Sequence, residues 1–205
     1  AVFDFFDGIS ARALHLSSPI GKELDYLADD VTFGVAPSTI LLSQLLGMDF
    51  PVLPASVVEY LPFVAYVMAA FSALRLAKFN LDERQTMGFI GLPTPANALF
   101  WASLIAFAGN FFTNYAWGGY ALILMMLVSC CLLVAEIPMF ALKFKHWGFK
   151  GNEIRYTFLA LAALIILAFT IVNGLAGFLG SWWIVISVYV LFSVVLSMAE
   201  RQAKA

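Results

Sequence analysis

Asp4-Phe5-Phe6-Asp7-Gly8-Ile9-Ser10-Ala11-Arg12, followed eight residues later by Gly21-Lys22-Glu23-Leu24-Asp25-Tyr26-Leu27-Ala28-Asp29, is the stretch from which the rest of this 205-residue chain can be read. Residues three or four apart share one face of a helix. Asp4, Asp7, Gly8 and Ala11 therefore form one stripe and Gly21, Asp25 and Asp29 a second, on two helices joined through the turn signal Ser17-Ser18-Pro19. Facing each other across that short connection, the stripes bring four carboxylates together. Like charges at close quarters repel, and carboxylate oxygens are the donors that hard divalent ions prefer, so the cluster predicts Mg²⁺ or Mn²⁺, two ions in all. Gly8, Ala11 and Gly21 leave space beside the backbone for a bulky ligand such as a nucleotide, and Arg12 offers a guanidinium fork suited to phosphate. Taken alone, the geometry also fits an ion-binding cluster in a channel or transporter.

Outward from this stretch the composition changes the solvent. Apolar residues make up 62% of the chain and charged ones 12%, with a mean hydropathy of +0.92, which places it among polytopic membrane proteins. Crossing a hydrocarbon core takes a helix of roughly 20 residues. Apolar segments suited to this are centred near residues 36, 66, 104, 130 and 164, with a sixth near 190. The expected fold is all-α, a polytopic transmembrane helical bundle, because nothing in the pattern alternates as barrel strands do. Ala1–Phe6 reads as the end of a truncated helix.

The breaks at 48–54, 80–95, 109–119, 143–153 and 173–181 carry Gly, Pro, Asn or charge and read as loops. If they alternate sides, all eleven Lys and Arg, from Arg12 to Lys204, fall on one side, which the positive-inside rule makes cytoplasmic. Basic residues spread along a membrane boundary suit anionic head groups and exclude a nucleic-acid interface. Cys130 and Cys131 stand adjacent in an apolar helix, where they serve as packing rather than as a disulfide or a metal site. Asp30 and Asp49 read as interfacial or capping residues, and His15 and His146 as interfacial head-group neighbours. Gly34 and Pro37 are expected to loosen or kink their helix, and Glu136, before Pro138, to cap freed backbone or face a cavity.

The spacing D-x2-D-G-x2-A-R-x8-G-x3-D-x3-D resembles, position for position, the motif of the CDP-alcohol phosphotransferases, integral membrane enzymes of phospholipid synthesis. The resemblance implies a bundle of six core helices, homodimeric, with the site open to the cytoplasm. The motif would sit on the second and third of these, so the first helix and most of the second are missing here. One membrane domain then occupies 1–205, with a family core over 1–142 and two additional helices over 155–199. By position, the resemblance makes Asp4, Asp7, Asp25 and Asp29 the metal ligands, with Asp29 also the general base. It gives Asp4, Gly8, Ala11, Arg12, Gly21 and Asp25 to the CDP moiety.

A second tier, Lys22-Glu-Leu-Asp25-Tyr-Leu-Ala-Asp29 with Phe33-Gly-Val-Ala-Pro37, Leu74-Arg75-Leu-Ala-Lys78-Phe-Asn80 and Phe89-Ile-Gly-Leu-Pro93-Thr-Pro95, is similar to the phosphatidylserine synthase branch. That branch implies CDP-diacylglycerol and L-serine as substrates. Glycerol 3-phosphate or inositol phosphate as acceptor, and an archaetidyl donor, are the alternatives within the same chemistry. Arg75, with Lys78 and Asn80 beyond it, is the candidate for the acceptor carboxylate or a substrate phosphate, since a guanidinium binds such groups through paired hydrogen bonds. The competing reading is that Arg75 and Lys78 snorkel to the interface as topology anchors. The last two helices carry no diagnostic chemistry.

Overall fold

The computed structural model describes residues 19–82, 88–142 and 148–204. Pro19 opens helix α1 (Pro19–Asp30), which runs into a π-helical turn (Val31–Val35) and then α2 (Ala36–Leu46). The cause of the widened turn is local. Pro37 has no N–H to give, and its ring collides with the carbonyl four residues back. The Ala36 N–H reaches Val31, five residues back, and the Ser38 hydroxyl donates to the Gly34 carbonyl at 2.8 Å. The expected helix defect at Gly34 and Pro37 is thus present as a π turn.

The chain returns through a short helix α3 (Ala55–Val58), a 3-10 turn (Leu61–Tyr66) and α4 (Val67–Leu81). Helices α5 (Thr94–Thr113), started by Pro93 and Pro95, and α6 (Gly118–Val134) follow. The last two are α7 (Glu153–Gly180) and α8 (Trp182–Lys204). Four helical runs among the described residues are long and apolar enough to cross a membrane: Ala55–Leu81, Thr94–Thr113, Glu153–Gly180 and Trp182–Ala199. Gly118–Val134 is apolar but shorter. The helix expected around residue 36 is not in this set, because Lys22, Glu23, Asp25, Asp29 and Asp30 occupy its first half. Nor is α7 a straight rod. Gly174 takes φ 59°, and beside the Phe169 carbonyl there is no room for a Cβ at Gly177, so the helix is kinked here, inside the break expected at 173–181.

Helix α5 is the hub, packed by α2, the π turn, α6, α7 and α8. Without a hydrophobic driving force between helices in lipid, close packing and buried hydrogen bonds hold such bundles together. Trp101 is fully buried and its indole N–H donates to Ser129 Oγ at 3.1 Å, tying α5 to α6. Leu41, Leu45, Met68, Leu104, Leu122 and Met126 close one core around it. A second core, with Leu133, Met139, Phe158, Val185 and Tyr189, joins α7 and α8 to the rest. Cys130 is buried beside Met126 and Cys131 is exposed, both as free thiols.

One feature departs from a purely helical expectation. Strands β1 (Gly88–Ile90) and β2 (Pro138–Phe140) pair antiparallel, with Phe89 opposite Met139, and the Gly91 N–H extends the ladder to the Ile137 carbonyl. Backbone dipping into the end of a membrane bundle must find internal partners, and a short ladder supplies them. It also joins the connection after α4 to the connection after α6, so these two connections share one end of the bundle.

Candidate active site

Asp25 and Asp29 stand one turn apart on α1, one turn and two turns past Gly21, with Asp25 exposed and Asp29 half-buried. Asp4, Asp7, Gly8, Ala11 and Arg12 lie outside the described residues, and so does His15. Among the described residues no group of three or more His, Cys, Asp or Glu gathers to hold a metal. The half of the motif that is described fits a hard divalent ion by its chemistry: two carboxylates aligned on one face, with a glycine leaving the approach open. Asp30 departs from the capping role expected of it. Its side chain makes no cap bond, and its buried Oδ1 has no hydrogen-bond partner among the described residues. A Cβ built on Gly34 would come 2.6 Å from that oxygen and 3.0 Å from Ser72 Cβ, so the glycine is what lets α4 close against this carboxylate.

Arg75 does not snorkel. It is 5% exposed on α4, and its guanidinium lies 4.8 Å from the centre of the Phe79 ring and 6.0 Å from that of Phe89 on β1. Among the described residues, its buried Nε and Nη2 have no acceptor. Asp29 from α1 and Tyr189 from α8 are within electrostatic reach of it. Arg75 opens on a cavity of about 350 Å³ shared with Lys78, Asp82, Leu133 and Glu136. Glu136 therefore faces a cavity, the second of the two roles expected for it. Lys78 is exposed at the cavity rim, while Asn80 is exposed and does not line it. A second cavity, about 250 Å³ between β2, α7 and α8, contains Arg155, whose Nε and Nη1 already donate to the Ala141 carbonyl and to Asn152 Oδ1, both at 3.0 Å.

Tyr189 is what the sequence reading missed. A tyrosine among Val, Leu and Ser in a terminal apolar helix gives no signal beyond packing. In the fold it is 7% exposed, and its hydroxyl donates to the Phe140 carbonyl at 2.9 Å.

The family model described as CDP-alcohol phosphatidyltransferase matches residues 1–134, from the motif to the last residue of α6. The chain belongs to that family. Members generally use divalent metal ions. Three of its relatives carry the name CDP-diacylglycerol–serine O-phosphatidyltransferase. The one from Bacillus subtilis is 43% identical over 96 residues, covering 45% of this chain and 48% of the relative. That from Mycobacterium tuberculosis H37Rv is 33% identical over 194 residues, 91% of this chain and 62% of the relative. That from Methanocaldococcus jannaschii is 30% identical over 158 residues, 69% of this chain and 72% of the relative. The chain thus spans between about half and about three-quarters of the length of these relatives. No solved structure matches it. As a member of this family with four membrane-long helical runs among the described residues, it is a helical membrane protein.

Proposed function

We propose that this CDP-alcohol phosphatidyltransferase moves the phosphatidyl group of CDP-diacylglycerol onto the hydroxyl of L-serine, giving phosphatidylserine and CMP. The observation that carries the serine reading is Arg75: a buried guanidinium with two unmatched donors, opening on a cavity within electrostatic reach of Asp29. A serine carboxylate supplies the two oxygens that such a fork binds in parallel. The names of the relatives point the same way. With the family assigned, the acidic cluster is read as a phosphotransfer site rather than as an ion pathway.

In this reading Asp29 accepts the proton of the serine hydroxyl, whose oxygen then bonds to the lipid-linked phosphorus while the bond from that phosphorus to the CMP oxygen breaks. Arg75 holds the serine carboxylate so that the hydroxyl meets the phosphorus, and Lys78 at the rim adds positive potential. Gly8, Ala11, Arg12 and Gly21 receive the CDP moiety along with Asp4 and Asp25. Two divalent ions, Mg²⁺ or Mn²⁺, held by Asp4, Asp7, Asp25 and Asp29, would supply charge neutralisation of the pyrophosphate. The basic end of the bundle is the cytoplasmic one by the positive-inside rule, so the site faces the cytoplasm, and the protein works as a homodimer as its family resemblance implies.

The test is CMP release by the intact protein in detergent with CDP-diacylglycerol, Mg²⁺ or Mn²⁺, and a panel of labelled alcohols. Release with serine is expected. No release with any alcohol refutes the enzyme reading, and release only with glycerol 3-phosphate or inositol phosphate refutes the serine assignment alone.

A further inference from the structure

We propose that Tyr189, on the last helix, is a positioning residue for Arg75, because its hydroxyl ties down the β1–β2 ladder whose Phe89 ring lies against the guanidinium. The proposal rests on the reading of Arg75 as the acceptor-carboxylate site. The relay can be followed atom by atom. Tyr189 donates to the Phe140 carbonyl at 2.9 Å, and its ring packs 4.9 Å from Phe140 and 5.8 Å from Phe158. Phe140 pairs with Gly88, and Met139 with Phe89. The Phe89 ring lies 6.4 Å from Phe79, and these two rings are the ones within 4.8 and 6.0 Å of the Arg75 guanidinium.

Two physical facts make the tie necessary. A two-stranded ribbon is marginal without outside support, and this one has three residues per strand. The Arg75 guanidinium, for its part, has no acceptor at Nε or Nη2 among the described residues, so aromatic faces and the surrounding field orient it. A phenylalanine would fill the Tyr189 site equally well. The phenol adds the bond to Phe140 and a polar oxygen within electrostatic reach of Arg75, which couple α8 to the cavity on α4. The last helix therefore takes part in acceptor recognition.

The experiment is CMP release by the intact protein in detergent, titrated separately with serine and with CDP-diacylglycerol. Tyr189→Phe should raise the serine KM about fivefold, the change commonly produced by loss of one hydrogen bond, while kcat and the CDP-diacylglycerol KM stay within about twofold. Phe89→Leu, which cuts the relay at its other end, should give the same serine-specific rise. Adding Tyr189→Phe to Arg75→Ala should change the serine KM no further, since both act on one contact. An unchanged serine KM in Tyr189→Phe, with a raised one in Arg75→Ala, overturns the positioning role and leaves the acceptor reading standing. A loss spread over both KM values and kcat together with a fall in Tm assigns Tyr189 to stability alone and also overturns it. An unchanged serine KM in Arg75→Ala removes the acceptor reading and the positioning role with it.

Discussion

Replacing Arg75 by Met should make the protein more stable and less able to bind its acceptor, a combination that few substitutions produce. Arg75 is 5% exposed and, among the described residues, leaves two N–H donors, Nε and Nη2, without acceptors. Each buried unsatisfied donor costs roughly 1–3 kcal/mol. Against this stand the Phe79 ring at 4.8 Å, worth roughly 0.5–2 kcal/mol, and attraction to Asp29, which is reduced because that carboxylate is only half-buried. Met fills a similar volume, keeps contact with the rings and buries no charge, so the balance favours the variant by about 1 kcal/mol or more. Thermal unfolding in detergent should show Tm raised by about 2–4 °C. The serine KM should rise at least about tenfold, the factor that roughly 1.4 kcal/mol of lost binding produces, while the CDP-diacylglycerol KM holds. A lower Tm with an unchanged serine KM would refute the reasoning at both ends, because the guanidinium would then be a structural cation satisfied in its place.

Asp29→Asn should lower kcat by roughly 10²–10⁴ with little change in Tm, and near-normal turnover would remove it as the base. Gly91→Ala places a Cβ 2.7 Å from the Leu133 carbonyl and 2.9 Å from that of Ala135, at φ 76°. It should cost roughly 1–3 kcal/mol and raise the serine KM by displacing β1, whereas an unshifted Tm would show that the ladder yields freely. Single cysteines at Asp49 and Lys150, in a background with Cys130 and Cys131 replaced by Ala, should react with a membrane-impermeant maleimide from opposite faces. Labelling from the same face would refute the alternation on which the charge pattern depends.

The membrane helices were legible because apolar runs bounded by Gly, Pro and Asn carry their own signal, and most helix ends lie within a few residues of the expected breaks; α6 is the exception, stopping at Val134 well before the break expected from 143 because residues 138–140 enter the ladder. The ladder was not, since three residues such as Gly88-Phe89-Ile90 are too few to show alternation. The interruption at Gly174 was legible, since it falls inside the break expected at 173–181, although the structure makes it a kink in α7 rather than an open loop. Asp25 and Asp29 could be placed one turn apart on one helix face from their spacing alone. Arg75 could not be decided, because Lys78 lies three residues on, and two cations near a helix end look like anchors until one is found buried. Tyr189 lay beyond sequence reasoning altogether, since its partner Phe140 is 49 residues away and is engaged through a backbone carbonyl that no residue type advertises.

The motif's second stripe extends physically beyond Asp29. Gly21, Asp25, Asp29, Phe33, Pro37, Leu41 and Leu45 stand four apart, and in a regular helix every four-residue step overshoots by about 40°. A row of that spacing would therefore spiral away from any one neighbour, and the aspartates would be turned from the helix against which Leu41 and Leu45 are buried. The π turn at Val31–Val35 counters this. A turn closed by a bond five residues back winds less per residue, so it subtracts rotation between Asp29 and Pro37. Phe33, Pro37, Leu41 and Leu45 are all buried, and α1 and the π turn both pack on α4, the helix that carries Arg75. Pro37 enforces the wide turn by withholding its N–H, and Gly34 lets Ser72 approach it. Gly34 and Pro37 thus help direct the aspartates and the arginine to one place, although neither offers a polar side chain to a substrate.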